Sequence, residues 1–291
     1  MREAPCLCGS GKKAKRCCLR GTNHWRLPGS EVRVRNTGQQ GHRDGCYLHD
    51  LGSCHTALSS EHYISRGVLD ALGPKIQVSG FPWLKGETKT VGIQSLTTNV
   101  LCRVHNSALS PLDQAATRFI TAMKAIGVGG NHHEVVSGHD IERWLLKSLV
   151  ALTVSKNLML EGQRVETAGL PGDLPHLLED PRSWAPGAGL WLVHREGDVF
   201  PTTADIELRP LFDAETGAVK GADLRILGFS IVLLIDAYRR KPGSPLEHAV
   251  YRPADFTVRT SSGTRMVALA WMDDQFHPSI LIETGVPAPT P

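Results

Sequence analysis

"SLTTNVLCRVHNSALSPLD", residues 95–113, combines two metal-ligand residues with the start of a helix. Cys102 and His105 are separated by two residues, which is the spacing of a zinc knuckle. Further along, Ser110 precedes Pro111, and proline suits the first turn of a helix because the N–H that it lacks would have no helical partner there. The stretch therefore predicts one half of a tetrahedral zinc site and, from about Ser110, a helix.

The other half of this zinc site is found upstream, at Cys46 and Cys54. Together with the two knuckle residues they supply four ligands, the number that a closed structural zinc site needs, and no cysteine outside the N-terminal region is left over. Seven residues separate Cys46 from Cys54, where about two are usual in a knuckle. His49 and His55 therefore stay open as substitutes for one of these cysteines.

An acidic residue and a histidine lie between the two ligand pairs, in Ser60-Glu61-His62-Tyr63-Ile64-Ser65. This layout resembles the HNH nuclease family in its variant with a treble-clef zinc site. That variant has a ligand pair, an acidic residue next to a histidine, and a second knuckle whose last ligand is followed by asparagine or histidine. Asn106 stands in that last position. The resemblance implies a ββα-metal core, in which a β-hairpin and the helix after it carry these residues.

The resemblance also implies roles for single residues. His62 would be the general base that activates water, while Glu61 and Asn106 would hold a divalent cation, Mg²⁺ or Mn²⁺. Asn99 is the nearest candidate for the middle position of the HNH triplet. An imidazole with an ordinary pKa of about 6.5 is a competent base at neutral pH, and a hard cation held by oxygen ligands can neutralise charge on the phosphate.

The first cysteine cluster along the chain is CLCGSGKKAKRCC at residues 6–18, and the set that begins at Cys46 is therefore the second cluster. It resembles the SEC-C zinc motif, which implies a small docking module. A segment this short cannot bury an apolar core, so metal binding must supply most of its folding free energy. The expected zinc ligands are Cys6, Cys8, Cys17 and Cys18. The basic side chains between them would meet phosphate groups or an acidic protein, or form only a solvated rim: Lys12, Lys13, Lys15 and Arg16.

Positive charge is concentrated in the same part of the chain. Residues 1–45 hold ten Lys and Arg against three Asp and Glu, although the whole chain has a formal charge of only +3. This end is therefore expected to favour polyanions. Residues 23–45 show no clear apolar period and contain two glycines within Thr37-Gly38-Gln39-Gln40-Gly41. We predict a linker there, which isolates the SEC-C motif from the rest of the chain.

The remainder of the chain predicts an α+β protein. Two helices are expected after the second zinc site, the second of them over residues 140–152. Its charged residues are expected to lie off the apolar face: Glu142, Arg143 and Lys147. The histidines between the helices, His132, His133 and His139, are interpreted as part of a solvated loop, because no carboxylate pair or cysteine frames them.

From about residue 170 the pattern changes to short β-like runs separated by glycine and proline, which predicts a mainly antiparallel β domain. The runs are Leu190–His194, Ala204–Leu211, Leu224–Leu234, Phe256–Thr260, Met266–Trp271 and Ile280–Glu283. The predicted organisation is a SEC-C motif at 1–22, the linker at 23–45, an HNH-like zinc domain with flanking helices at 46–160, and a β-rich specificity or partner domain at 170–291.

Composition limits the cellular setting. No run of about 18 apolar residues is present, and the first residues lack the apolar core of a secretory signal. We therefore expect a cytoplasmic protein that does not associate with membranes. In a reducing compartment, clustered cysteines bind metal more often than they form disulfides.

These observations favour a metal-dependent HNH endonuclease with two structural Zn²⁺ ions. It would hydrolyse phosphodiester bonds in DNA rather than RNA, because the family mostly cuts DNA, and such nucleases often serve restriction, phage defence or mobile elements. The alternative is a non-catalytic, zinc-stabilised adaptor that binds nucleic acid or, through the SEC-C motif, a protein partner. In that alternative His62 is a structural histidine.

Overall fold

The structure is a computed structural model of the 291-residue chain. It describes residues 2–21, 24–79, 84–85, 87–128, 132–157, 159–160, 163–164, 171–193, 206–213, 215–240, 242–244, 246–260 and 263–283. The predicted strand ends at His194 and Ala204, and the predicted start of the β-rich domain at residue 170, lie outside these residues.

The described residues form four α-helices and seventeen β-strands. The helices are α1 (Arg66–Leu72), α2 (Arg103–Val128), α3 (Gly138–Val154) and α4 (Leu174–Glu179). The strands are β1 (Leu19–Arg20), β2 (His24–Trp25), β3 (Leu58–His62), β4 (Lys75–Val78), β5 (Lys89–Gly92), β6 (Thr97–Cys102), β7 (His133–Ser137), β8 (Met159–Leu160), β9 (Gln163–Arg164), β10 (Gly189–Val193), β11 (Ile206–Phe212), β12 (Val219–Ile226), β13 (Phe229–Leu234), β14 (Val250–Tyr251), β15 (Asp255–Thr260), β16 (Gly263–Ala270) and β17 (Ser279–Glu283). Among the helices of this part of the chain, none has the length and apolar character needed to cross a membrane.

A two-stranded antiparallel sheet and a long helix surround the second cysteine cluster. β3 pairs with β6, with Leu58 opposite Cys102 and a register shift between Ser59 and Glu61. α2 follows β6 directly, with no residue between them. The last residue of β6 and the first turn of α2 are therefore held side by side by the backbone itself.

α2 begins at Arg103, earlier than the predicted start at Ser110. Pro111 consequently lies inside the helix instead of in its first turn. The early start follows from the knuckle, because a helical turn brings His105 back beside the strand end, where the cysteine ligands are. The helix continues through the proline, although proline removes one backbone hydrogen bond. Apolar residues at helical spacing are fully buried on both sides of it: Leu109, Leu112, Ala116 and Phe119.

α3 lies at the centre of the molecule and is buried from Gly138 to Thr153. It contacts α2, α4 and strands of both larger sheets. The prediction that its charged residues lie off a buried face is therefore wrong, because neighbours cover the helix on every side. Each buried charge is compensated by an ion pair: Glu142 with Arg252, Arg143 with Asp140, and Lys147 with Glu61 and Asp113.

One of the larger sheets is fully antiparallel, in the strand order β11-β12-β13-β10-β14. The predicted single strand at 224–234 is a hairpin of β12 and β13. Leu227 and Gly228 both have positive φ, 49° and 75°, as the two central residues of a tight primed turn require. The glycine is the signal in the sequence that separates the two strands.

The other larger sheet has the order β17-β15-β16-β7. β15 and β16 are antiparallel, while β17 and β7 pair in parallel with their neighbours. β7 comes from the segment between α2 and α3, so the solvated-loop interpretation is wrong: His133 lies in this strand and His139 is buried in α3. The chain thus has a mixed α+β fold with antiparallel sheets, as predicted.

The N-terminal residues pack onto the rest of the protein. Val32 and Val34, within the predicted linker, are buried in the main apolar core. Trp25 is only 2% exposed and belongs to an apolar cluster that joins the SEC-C cysteines to β7 and β16. Its buried members from those strands are Val135, Met266, Ala268 and Ala270. The segment therefore does not isolate the motif, and single apolar residues in a polar stretch gave no periodic signal of this packing.

Candidate zinc centres and a buried polar site

The second cysteine cluster has the geometry of a four-ligand metal site. His105 Nδ1 lies 3.3 Å from Cys46 Sγ, 3.6 Å from Cys54 Sγ and 3.3 Å from Cys102 Sγ. All four ligand atoms lie within 4.8 Å of one another, and all four residues are buried. β6 and the first turn of α2 supply two of them, and the segment before β3 supplies the other two. This set can hold Zn²⁺.

The other ring nitrogen of His105 fixes the orientation of the imidazole. Nε2 lies 3.0 Å from the Val34 carbonyl oxygen and 3.1 Å from Ser53 Oγ. A backbone carbonyl only accepts hydrogen bonds, so the proton belongs on Nε2, and Nδ1 is left to bind metal. Val34 belongs to the segment predicted as a linker, which is why spacing arguments alone could not reveal this contact.

The pKa shifts of the cluster residues are consistent with the binding of a metal cation. Burial, followed by the charge of Cys46, raises the pKa of Cys54 to about 12, and burial also raises the pKa of Cys46. Burial lowers the pKa of His105, which keeps the imidazole in the neutral form that ligates metal. The thiols of Cys46 and Cys54 therefore stay protonated near neutral pH without a cation, and metal binding to them would release protons.

The alternative histidine ligands lie outside the cluster. His49 Nδ1 is 2.7 Å from the Cys46 carbonyl oxygen and its Nε2 is 3.1 Å from Asp50. His55 Nδ1 accepts a hydrogen bond from the Ala57 amide at 3.0 Å. Both imidazoles are therefore engaged locally.

The N-terminal cysteines form the other cluster. Cys8 Sγ lies 3.5 Å from Cys17 Sγ, which lies 3.7 Å from Cys18 Sγ, and the sulfurs of all four cysteines, Cys6 included, lie within 4.8 Å of one another. Burial alone would raise the pKa of Cys8, but hydrogen bonds from Ser10 and the neighbouring thiols lower it to about 6. One thiolate is thus available near neutral pH to begin metal binding.

The basic residues of this motif are partly engaged. Lys13 Nζ lies 3.0 Å from Glu3 Oε2, and Lys15 forms an ion pair with the same carboxylate. Lys12 and Arg16 are exposed. Glu3 is also exposed, so solvent screens these pairs strongly. A phosphate group would compete with Glu3 for two of the four predicted cations.

Glu61 is buried in a polar network that the sequence did not reveal. Its Oε1 lies 2.6 Å from Lys147 Nζ, which also donates to Asp113 Oδ2 at 2.6 Å. Ser65 donates to Asp113 and accepts a hydrogen bond from Trp144 Nε1 at 2.7 Å. Glu61 and Lys147 are only 4% and 3% exposed. A lysine on a central helix carries no sequence signal for such a contact.

The pKa values of this pair shift in the same direction for different reasons. Burial raises the pKa of Glu61, and the negative charge of Asp113 raises it further. The positive charge of Lys147 lowers this pKa, but it offsets the rise only in part. Burial by itself would lower the pKa of Lys147, but Asp113 and Glu61 together raise it. Two carboxylates stabilise the charged form of Lys147, whereas a single ammonium stabilises the charged form of Glu61.

This network bears on the predicted divalent cation. The ammonium of Lys147 lies against the Glu61 oxygen that would ligate Mg²⁺ or Mn²⁺, and a cation there would meet like-charge repulsion. Glu61 therefore does not fit as a cation ligand in this arrangement. Asn106 Nδ2 donates to Ser59 Oγ at 2.8 Å, which brings it beside β3, whereas Asn99 is exposed on β6.

His62, at the end of β3, is half-buried. Its Nε2 is shielded from solvent and has no hydrogen-bond partner within the described part of the chain. Burial, then the charge of Arg66, lowers the pKa of His62. The imidazole is therefore neutral at pH 7, with a nitrogen that no protein group among these residues uses.

Comparison with known proteins assigns one part of the chain. Residues 4–20 match the SEC-C motif family, so the predicted SEC-C motif is confirmed together with a cysteine cluster that could hold zinc. This family match does not extend over the HNH-like segment. Neither the curated proteins nor the solved structures include a match to this chain.

Proposed function

We propose that the chain is a zinc-stabilised nucleic-acid phosphodiesterase of the HNH type, with His62 as its general base. One observation carries the proposal: His62 Nε2 is shielded and unpaired among the described residues. A buried nitrogen without a partner costs free energy, and such groups call for an explanation, of which catalysis is one. The β3–β6 sheet and α2, held together at the second cysteine cluster, supply the rigid support that a base requires.

The chemistry proposed for His62 is proton abstraction from water, and it requires the imidazole to turn so that Nε2, which is covered in this structure, meets that water. The neutral imidazole takes one proton as the water oxygen attacks phosphorus, the bond from phosphorus to the leaving sugar oxygen breaks, and that oxygen takes up a proton. The lowered pKa of His62 keeps the base ready at neutral pH. Asn106, hydrogen-bonded to Ser59, lies beside the same strand. Because Glu61 is held by Lys147, we derive no step through a divalent cation.

The distribution of positive charge supports a polyanionic substrate. The N-terminal 45 residues carry an excess of positive charge, and they are packed onto the folded core rather than separated from it. Such a surface raises the local concentration of nucleic acid. We propose DNA rather than RNA as the substrate only because the HNH nucleases that this sequence resembles mostly cut DNA.

A plasmid assay tests the proposal. Zinc-loaded protein should nick or linearise supercoiled plasmid, and His62→Ala should reduce the rate by about 10²- to 10⁴-fold, the usual contribution of a general base. His133→Ala is the matched control, since His133 is exposed on β7. Parallel reactions without added cation, with Mg²⁺ and with Mn²⁺ show whether a cation is needed. Equal rates for His62→Ala and the wild type would refute the role of His62.

A specific observation favours the second candidate, the non-catalytic adaptor. The buried ion pair of Glu61 and Lys147 fits a structural role, because each charge has an oppositely charged partner and is shielded from solvent. If the purified protein binds nucleic acid but cleaves it under none of these conditions, the adaptor is the better function. His62→Ala would then change stability only.

A further inference from the structure

A cavity of about 310 Å³ lies where the strands after the SEC-C cysteines meet the second large sheet. β1 and β2 form one wall, and the segment that follows β16 forms the other. Side chains that line it include Arg20, His24, Trp25, Trp271, Phe276 and His277. Its size is at the lower end of small-ligand sites, and half of its lining residues carry aromatic rings.

The aromatic walls are fixed in place. Trp271 Nε1 donates to the Pro253 carbonyl at 2.9 Å. His277 contacts the Arg252 carbonyl oxygen at 2.9 Å through Nδ1 and Asp273 at 2.6 Å through Nε2. The rings of Trp271 and His277 are 5.6 Å apart. A ligand that stacks here would need little ordering of the protein, which favours binding.

The mouth of the cavity combines an exposed aromatic ring with positive charge. Phe276 is 90% exposed, although large apolar side chains are usually covered. Arg20 and His24 are cross-strand partners on β1 and β2, so their side chains are neighbours at the rim. Arg2 donates to the carbonyl of Gly21, another lining residue, at 2.6 Å.

One polar atom at the cavity has no described partner. His24 Nε2 is shielded from solvent and unpaired within the described residues. Its ring stands edge-on to His277, with 5.9 Å between the ring centres. A planar ligand would cover the aromatic walls, and a turn of the His24 ring would let an edge of that ligand pair with this nitrogen.

We propose that this cavity binds one unstacked base of a single-stranded nucleic acid, with Arg20 and Arg2 on the adjoining phosphates. Every nucleobase has an aromatic face that stacks on such side chains, and the phosphate backbone matches the positive rim. A base in a paired duplex is not accessible to a cavity of this kind. The site lies apart from His62 and requires no hydrolysis, so it stands or falls separately from the proposed nuclease.

Fluorescence anisotropy with the full zinc-loaded chain, without added divalent cation, tests the proposal. The probes are a labelled oligothymidylate, an abasic strand of the same length and charge, and a duplex. We expect the oligothymidylate to bind more tightly than either of the other two. Phe276→Ala should weaken oligothymidylate binding by roughly 5- to 150-fold, the range for removal of one stacking aromatic side chain. It should leave the affinity for the abasic strand unchanged.

Leu281→Ala is the matched control, because Leu281 is also an exposed large apolar residue, 40% exposed, and lies on β17. Arg20→Gln should weaken both single strands alike and flatten the salt dependence by up to about 0.7 log-log unit. Equal affinity for the abasic strand and the oligothymidylate would overturn the proposal. So would binding of a polyglutamate peptide that depends on Phe276 while nucleic acid binding does not, since the occupant would then be an acidic protein.

Discussion

The main-chain amide of Trp271 donates a hydrogen bond to the carbonyl oxygen of Trp25 at 3.1 Å. Trp25 follows the SEC-C cysteines, and Trp271 follows β16 in the C-terminal sheet. The ion pair between Arg26 and Asp274 lies next to this bond. The SEC-C motif is therefore built into the fold, and its metal should support more than the motif itself.

Loss of the first zinc site should destabilise the whole chain. Cys17→Ser removes one ligand, and the motif then cannot hold Trp25 in its buried position against β7 and β16. We expect the free energy of unfolding to fall by about 3–5 kcal/mol, the usual cost of losing a buried large aromatic side chain. Urea unfolding measures it, with Lys12→Ala as a control in the same motif. An unchanged unfolding midpoint in Cys17→Ser would mean that the motif folds independently.

The second prediction concerns metal content. The wild-type chain should contain two zinc ions by elemental analysis, because two separate four-ligand clusters are present among the described residues. Cys17→Ser should contain one. Cys102→Ser should fail to fold, since apparent zinc-binding energies of about 10–16 kcal/mol match or exceed the total stability of a typical domain. A folded Cys102→Ser chain with one zinc ion would show that the apolar core around this cluster suffices without metal.

Metal-ligand spacing and strand patterns were readable in the sequence because both are local. The pairing of Cys102 with His105 depends on one helical turn, and most β-strands of the C-terminal region appear as short runs bounded by glycine. The packing of Val34 and Trp25 was not readable, since each is a single apolar residue whose partners lie far along the chain.

The sequence likewise predicted only part of the candidate site. His62 and Asn106 were predicted as site residues from a motif, and that assignment stays a prediction. The contact of Glu61 with Lys147 was not predicted, because Lys147 lies on a helix that follows much later in the chain. Helical periodicity placed Lys147 off the apolar face. α3 is instead covered on all sides, so its charges are buried and have to pair with one another or with neighbouring elements.

Asp273 gives a prediction for pH dependence. Burial acts to raise its pKa, but the hydrogen bond and charge of His277, with further help from Arg252, hold the pKa well below the ordinary 3.8. A depressed acid pKa stabilises the fold above the unfolded value, and the stabilisation is lost as pH falls through the folded value. The difference in unfolding free energy between wild type and Asp273→Asn should thus be present in full near pH 5 and shrink below about pH 3.8.

Urea unfolding at several pH values measures this difference. Because acid protonates the zinc ligands, the two chains are compared only at pH values where elemental analysis finds the same zinc content in both. Asp274→Asn is the control, because Asp274 is exposed on the same loop. A difference that grows on acidification would show that Asp273 acts otherwise than through its carboxylate charge.

The last prediction concerns Lys147. Replacing it by methionine leaves the carboxylates of Glu61 and Asp113 close together without a counter-charge, which should cost about 3–5 kcal/mol near neutral pH. The pKa of Glu61, already raised by burial, should rise further. A raised acid pKa means that the stabilisation is present below the unfolded value and is lost as pH rises through the folded value. The deficit of Lys147→Met should therefore be larger at pH 8 than at pH 5.

Glu61→Gln separates charge from packing in this network. Alone it should cost less than Lys147→Met, because Lys147 keeps its bond to Asp113 at 2.6 Å and the amide oxygen still accepts a hydrogen bond. In the double variant, Glu61→Gln should relieve part of the loss caused by Lys147→Met, since only the carboxylate of Asp113 then lacks a counter-charge. Urea unfolding of the four proteins at pH 5 and pH 8 measures the coupling. If the deficit of Lys147→Met is the same at both pH values and Glu61→Gln does not relieve it, the lysine contributes through its apolar stem, and Glu61 is free to serve the chemistry proposed for its neighbour His62.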